Sequence, residues 1–209
     1  MRRRHNETAI FIAFPGEMKL LAEQHEKPRK MLRDSDKYGS YREYLNNISK
    51  LTSHLRSVHA ENVFFAVPGQ LSSSSKIRDY VNAYQPPKGT QRIYWGKGHT
   101  CFSSWRNIGR YQTNGEIGGK FDWPDMVEFG IEHVLMAGER TVDDSGSQCV
   151  VKISKEMVEA GLKVRGINDC LYPSILPEKE ENLDHEWQRQ EKKIVDALSY
   201  QSVNISDIE

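Results

Sequence analysis

The most constraining stretch of this sequence is residues 131–173, which reads as one complete strand, loop, helix, strand unit. An apolar run at 133–138 ends in glycine, which is typical of a strand buried on both faces of a parallel sheet. Ser147 is a suitable N-cap, and apolar residues then recur at helical spacing until Gly161, where a helix commonly ends in a left-handed turn. A second apolar run at 162–167 predicts the next strand. The pattern is typical of a parallel α/β sheet.

Cys149 lies in the first turn of the predicted helix, just beyond the carboxyl end of the preceding strand. The unpaired N–H groups and the positive end of a helix dipole favour a thiolate over a thiol. The carboxyl ends of parallel strands are also where such sheets bind ligands. A reactive thiol is therefore one interpretation of Cys149. A buried structural cysteine is the other, because free cysteine is among the most buried residue types.

The rest of the chain alternates buried strands with amphipathic helices. Apolar runs predict further strands at 9–14, 62–67 and 91–95, and apolar residues at helical spacing predict helices at 41–58, 123–129 and 183–198. Short strands that alternate with helices are typical of βαβ units. We therefore predict a three-layer α/β/α domain with a mostly parallel, Rossmann-like sheet.

Chain length and composition restrict the class of protein further. The chain has 209 residues, of which 37% are apolar, enough for a single domain with a sizeable core. Lysine and arginine (29) balance aspartate and glutamate (29), so no net charge favours nucleic acid or a membrane as partner. No apolar run is long enough to span a membrane, and the amino terminus lacks a signal-peptide core. A small-molecule substrate is the partner that we expect.

The three cysteines, at positions 101, 149 and 170, form no metal-type pair and leave one over in any disulfide scheme. This usage favours a reducing, cytoplasmic compartment. Along the chain we predict a basic arm at 1–8, one domain at 9–199 and a frayed tail at 200–209. The segment 107–122 contains four glycines in a polar setting and is predicted to be an insertion or lid.

The run that starts at Cys149 and Val150 resembles a known family. Gly161 follows Cys149 by twelve residues, and Asp169 follows Gly161 by eight. This order of features is similar to the carboxyl-terminal half of the isochorismatase-like cysteine hydrolases. In that family a strand ends in Gly, a Cys-Val pair begins a helix, a Gly ends the helix, and the next strand ends in Asp. The resemblance implies that Cys149 is the nucleophile. It also implies a homo-oligomer, because family members commonly pair or form tetramers.

The loop after the third predicted strand carries further candidate site residues. Lys97 with Phe102 resembles the Lys and Ser-Ala-Phe pattern of the family, one residue short, and the resemblance places Lys97 close to the nucleophile. There an ammonium would lower the pKa of the thiol; a solvated loop lysine is the alternative. His99 is a second candidate for proton transfer. We expect His99 and Phe102, together with Glu139 and Arg140 at the start of the loop before Cys149, to contact the substrate.

The main departure from the family concerns the general base. The family ends its first strand in Asp, whereas Phe14 stands at that position here. Glu17 is the nearest carboxylate in sequence, and the Pro15-Gly16 turn would allow its side chain to return to the pocket near Cys149. Metal-dependent nicotinamidases, relatives within the same superfamily, carry an Asp and histidines after the second strand. Residues 68–75 here contain neither, so we predict no metal there. The resemblance implies no cofactor.

These observations support three functions. The first is a cofactor-independent cysteine hydrolase that acts on a small amide or a related C–N or vinyl-ether substrate, with Cys149, Lys97 and Glu17 as catalytic residues. The second is a non-catalytic member of the fold that binds a ligand or partner, because the first-strand Asp is replaced by Phe14. The third is a nucleotide- or phosphate-binding protein that uses the loop around Lys97, although no GxxxxGK[ST] pattern is present.

Overall fold

A computed structural model describes most of the predicted core of this chain. The described residues are 7–24, 41–58, 60, 62–67, 74–85, 91–94, 109–111, 117–120, 123–139, 149–172, 203 and 205–208. Within these ranges no helix combines the length and the apolar character needed to cross a membrane. The predicted basic arm, the predicted helix at 183–198 and the loops around 97 and 144 lie outside the described residues, apart from the last two residues of the arm.

The five predicted strands are all present. Four of them begin and end within one residue of the prediction, whereas the strand predicted at 162–167 continues five residues further, to Tyr172. The five strands are β1 Thr8–Ala13, β2 Val63–Val67, β3 Gln91–Tyr94, β6 His133–Glu139 and β7 Lys163–Tyr172. Two short strands that we did not predict, β4 Gly109–Tyr111 and β5 Ile117–Lys120, lie within the segment predicted as an insertion. These two strands pair antiparallel at the β3 edge, so part of the segment extends the sheet.

The sheet has the strand order β5-β4-β3-β2-β1-β6-β7. The five predicted strands run parallel to one another. From β1 the chain moves outward through β2 to β3, and it later returns to add β6 on the other side of β1. The order of the strands therefore reverses between β1 and β6. In doubly wound sheets, the crevice outside the carboxyl ends of the strands at such a switch point is the usual ligand site.

Helices cover both faces of this sheet. They are α1 Glu17–Gln24, α2 Tyr41–Ser57, α3 Ser74–Tyr84, α4 Trp123–Glu128 and α5 Cys149–Glu159. Buried side chains of α1, α2 and α3 belong to one core, and those of α4 and α5 belong to the other. The predicted three-layer α/β/α fold is thereby confirmed. Gly161 follows α5 with a positive φ of 98°, as expected for a helix that ends in a left-handed turn.

The alternation of side chains along β1 explains the two cores. Phe11 and its alternate neighbours face α4 and α5, where the Phe11 ring packs edge-on against Trp123 at 5.6 Å between centroids. Ile10 and Ile12 face the opposite side, where they pack with α2 residues such as Leu51. Both sets are buried because β1 is central and successive side chains point to opposite faces.

Part of the segment predicted as a frayed tail contacts the sheet. The pairing of β6 with β7 is irregular after Met136, which leaves the backbone around Ile167 available for another partner. Val203 pairs with this part of the backbone. The Val203 amide donates to the Gly166 carbonyl at 3.3 Å, and the Val203 carbonyl accepts from the Asn168 amide at 3.2 Å. Non-local backbone pairing of this kind leaves no periodic signal in the sequence, so the prediction could not include it.

Candidate active site at the carboxyl edge of the sheet

The switch point lies where β1 and β6 end side by side, with Ala13 paired to Gly138. The chain that leaves β1 turns through Phe14, Pro15 and Gly16 into α1. β6 ends in Glu139, and α5 begins at Cys149. The backbone of Cys149 therefore begins a helix that follows a central strand, as the sequence predicted. Its side chain lies outside the described part of the chain.

Phe14 occupies the place where the family carries its general base. The residue directly follows β1 and has a positive φ of 52°, and its amide donates to the Ala66 carbonyl at 3.0 Å. Its side chain is 3% exposed and belongs to the same apolar core as Val150 and Ile153 of α5. The α5 side of this edge thus contains an apolar ring where a carboxylate would be expected, because the surrounding core favours an apolar side chain.

Glu139 is the carboxylate that the structure brings to the switch point. Its side chain is completely buried, and it accepts hydrogen bonds from the Gly16 amide, from the Met18 amide at 2.8 Å and from the Tyr41 hydroxyl at 2.8 Å. The Gly16 amide directly precedes α1 and the Met18 amide lies in its first turn, where unpaired N–H groups and the helix dipole favour a negative charge. Glu139 therefore occupies the position that an anionic ligand would take at this helix. Its predicted contact with a substrate stays a prediction.

Two opposing effects act on the Glu139 carboxyl. Burial is the larger, and it raises the pKa of Glu139 from 4.5 to about 8 because the ionised form loses its hydration. Hydrogen bonds from the Met18 amide, the Tyr41 hydroxyl and the Gly16 amide act in the opposite direction, and the nearby Glu17 raises the pKa further. The group therefore changes its protonation state in the neutral to mildly alkaline range.

Glu17 opens α1 and is 3% exposed. Its charge raises the pKa values of Glu139 and of Tyr80, which places its carboxylate within electrostatic range of both groups. Tyr80 belongs to the core beneath α1, α2 and α3, on the face opposite to α5. The expected approach of Glu17 to Cys149 involves a side chain that is not described, so it stays a prediction.

A group of tyrosines surrounds Glu139, and the sequence did not identify it as part of the site. The Tyr172 ring lies 4.9 Å from the Tyr41 ring and 5.3 Å from the Tyr44 ring, measured between centroids. Tyr80 and Tyr84 form a second pair at 5.4 Å. Burial, followed by the Glu139 charge, raises the pKa of Tyr172 to about 12. The sequence predicted core residues on this face of α2, but the pairing of Tyr41 with Glu139 is a contact between residues 98 positions apart.

The two α2 tyrosines are expected to respond differently to the loss of their hydroxyl groups. Tyr41→Phe removes a hydrogen bond to Glu139 and should lower the free energy of unfolding by about 1 to 2 kcal/mol. The Tyr44 hydroxyl is buried with no hydrogen-bond partner among the described residues, so Tyr44→Phe should be neutral or stabilising, within about 1 kcal/mol. Urea denaturation of both variants checks this, and equal losses would contradict the assigned Tyr41 contact.

The other predicted site residues, Lys97, His99, Phe102 and Arg140, lie outside the described residues, and their roles stay predictions. The described part of the chain holds no group of three or more His, Cys, Asp or Glu side chains that could bind a metal ion. Glu139 itself is already engaged by backbone amides and by Tyr41. Of the seven predicted site residues, the structure therefore places the side chains of Glu17 and Glu139 together and shows only the backbone of Cys149.

Comparison with known proteins gives a result at the level of fold. No family model and no curated protein matches the chain. Among solved structures, the chain is similar to the MAR1 ribonuclease from Caenorhabditis elegans, with a TM-score of 0.53 and 11% identity over 95% of this chain and 77% of that one. It is also similar to a nicotinamidase from Staphylococcus aureus, with a TM-score of 0.50 and 9% identity over 95% of this chain and 98% of that one.

Nicotinamidases belong to the superfamily that the Cys149 segment resembles. The nicotinamidase match extends over nearly the full length of both chains, so the likeness is not limited to the forty or so residues of the sequence resemblance. Identities of 9% and 11% carry information about fold alone. The protein therefore has an isochorismatase-like α/β fold.

Proposed function

We propose that this protein is a cofactor-independent cysteine hydrolase that acts on a small amide or a related C–N or vinyl-ether substrate, with Cys149 as nucleophile. The observation that carries the proposal is the position of Cys149 as first residue of α5, the helix that follows β6 beside the switch point. A thiol at a helix start is favoured as thiolate, and the switch point is where this class of sheet binds ligands.

The chemistry follows from that position. The Cys149 thiolate adds to the substrate carbonyl carbon, and backbone N–H groups at the start of α5 stabilise the oxyanion. The intermediate collapses as the C–N bond breaks, and the departing amine takes a proton from a neighbouring acid. Water then attacks the thioester, which releases the carboxylic acid and restores the thiolate. Lys97, His99 and Glu17 are the groups proposed to transfer protons, and Phe102, Glu139 and Arg140 are proposed to contact the substrate.

The reactivity of Cys149 tests the proposal directly. At pH 6 we expect iodoacetamide to alkylate Cys149 at least tenfold faster than free cysteine, because a lowered pKa leaves more thiolate at that pH. Cys170 is a matched internal control: burial and then the Asp169 charge raise the pKa of its thiol to about 12, so it should stay unmodified in the folded protein. Peptide mass spectrometry measures both rates in one sample. A Cys149 rate no higher than that of free cysteine would refute the activated thiolate.

A cysteine variant separates catalysis from binding. Cys149→Ala should abolish turnover of any amide or ester that the wild type hydrolyses, because those substrates pass through the Cys149 thioester. Because a ribonuclease shares the fold, a single-stranded RNA belongs in the substrate panel, and its cleavage by both wild type and Cys149→Ala would favour a different chemistry.

A second candidate function is a non-catalytic ligand-binding protein, and Phe14 favours it. A buried aromatic ring, 3% exposed, stands where the family has its general base, so proton transfer needs another group. Binding of a metabolite without turnover across the substrate panel, together with a slow Cys149 alkylation rate, would support this second function over the first.

We also propose a homo-oligomer in a cytoplasmic setting. Val127, Phe129 and Val158, in or next to α4 and α5, are 43%, 62% and 54% exposed, and contact with a second copy of the chain would bury them. Light scattering coupled to size-exclusion chromatography would measure the molar mass, and a value of about 24.1 kDa would contradict the oligomer.

A further inference from the structure

A pocket of about 520 Å³ lies at the opposite edge of the sheet from the candidate active site. It is lined by the first residues of β1, β6 and β7, by Leu55 of α2 and the residues that follow this helix, and by Val203, Asp207 and Ile208. Pockets of roughly 300 to 1,000 Å³ are the size that binds small organic molecules. Along β1, Thr8 at the pocket and Ala13 at the switch point are five residues apart, which corresponds to about 17 Å.

The register of β1, β6 and β7 determines which side chains line the floor of the pocket. Thr8 pairs with His133, which pairs with Lys163. These side chains form a polar row across the sheet at the amino ends of the strands. His133 is half-buried and Lys163 is exposed, so the row lies at the mouth of the pocket.

The next row on the same face is apolar at one end and cationic at the other. Ile10 pairs with Leu135, which pairs with Arg165, and residues two apart on a strand share a face. Leu55 of α2 and Ile208 extend the apolar surface and are almost fully buried. The pocket therefore has an apolar interior with a guanidinium at its side.

The cationic groups at the mouth are only weakly compensated. The Lys163 Nζ atom lies 3.8 Å from the Glu132 Oε2 atom, but both side chains are well exposed. Exposed ion pairs of this kind are weak because water screens the two charges. Arg165 makes no ion pair within the described part of the chain. Asp207 is the acidic side chain among the described lining residues. Among the described lining residues, Lys163 and Arg165 are thus the cations, against the single acid Asp207.

We propose that this pocket binds a small amphiphilic carboxylate, a molecule with one carboxylate and an apolar body. The carboxylate contacts Arg165, whose planar guanidinium matches two carboxylate oxygens, and Lys163 adds a second positive charge. The apolar body lies against Ile10, Leu135 and Leu55. The pocket shares no residue with the candidate active site, so this binding does not depend on the proposed hydrolase activity.

Calorimetric titration of the full chain with three probes tests the ligand class. Octanoate should bind saturably, because it supplies both the charge and the apolar chain. Octanol lacks the charge and acetate lacks the chain, so each should bind at least tenfold more weakly. Equal affinity for octanol and octanoate, or no saturable octanoate binding, would overturn the proposal.

A pair of arginine variants then locates the site. Arg165→Gln should weaken octanoate binding by about tenfold or more, and the substitution is at an exposed side chain, so the fold should be retained. Arg42→Gln, at an exposed position of α2 outside the pocket, is the matched control and should bind octanoate as the wild type does. Unchanged octanoate affinity in Arg165→Gln would overturn the proposed site. Cys149→Ala should leave octanoate affinity unchanged, and a loss there would likewise contradict a separate site.

Discussion

Gly138→Ala is expected to lower the free energy of unfolding by more than about 4 kcal/mol and to leave little soluble folded protein. Gly138 has a φ of 135°, and a Cβ atom at this position would lie 2.0 Å from the Ala13 carbonyl oxygen and 2.7 Å from the Ala13 carbonyl carbon and amide nitrogen. These are backbone atoms of β1, which cannot rotate away. Relief would require β1 and β6 to separate at the centre of the sheet, where Ala13 pairs with Gly138.

Gly161→Ala is the matched control, because it isolates backbone strain from the clash. Gly161 also has a positive φ, at 98°, but no described atom lies within 4 Å of the position that an alanine methyl group would take there. Its alanine variant should cost only the strain of a positive φ, about 1 to 2 kcal/mol. Guanidinium denaturation compares the two variants, and equal stability would show that the β1–β6 contact at Gly138 is looser than the structure indicates.

The second large effect is a loss of stability as pH rises. Burial raises the pKa of Glu139 from 4.5 to about 8, so between these values the folded protein holds a proton that the unfolded chain has released. The unfolded state then binds fewer protons, and the free energy of unfolding falls with rising pH. The contribution is fully present below about pH 4.5 and is lost as pH rises through about 8. We expect it to amount to a few kcal/mol.

Glu139→Gln tests this assignment because an amide keeps the size of the side chain and does not titrate. The wild-type free energy of unfolding, measured by urea denaturation from about pH 5 to about pH 8.5, should fall more steeply than that of Glu139→Gln. Glu128→Gln, at an exposed position of α4, is the control and should follow the wild-type slope. Parallel curves for wild type and Glu139→Gln would mean that Glu139 keeps one protonation state throughout.

The strands and helices that the sequence predicted correctly share strong local signals. The strand predicted at 9–14 and the helix predicted at 41–58 differ from the structure by one residue at each end or less. The strand is a continuous apolar run that is buried on both faces, and the helix has apolar residues at a period of about 3.6 that bury one face. The short strands β4 and β5 were not predicted, because segments of three or four residues that contain glycine are too short to show an apolar run or a period.

The candidate site was predictable only in part. Local signals placed Cys149 at a helix start after a strand, and the structure agrees for its backbone. Glu17 and Glu139 were also predicted from the sequence as site residues. It could not show that Glu139 binds the first turn of α1 and the Tyr41 hydroxyl, because those contacts join residues 98 to 123 positions apart.

The sequence by itself determined the layered α/β class, the central strands and the start of α5 at Cys149, because each depends on the periodicity or capping of one short segment. Only the tertiary structure decided that the Glu139 carboxylate is buried against α1 and that Phe14 packs in the apolar core beside α5. It also decided that His133, Lys163 and Arg165 meet at one pocket. These features depend on which strands become neighbours and in what register, and that choice is made by packing across the whole sheet rather than by any local pattern.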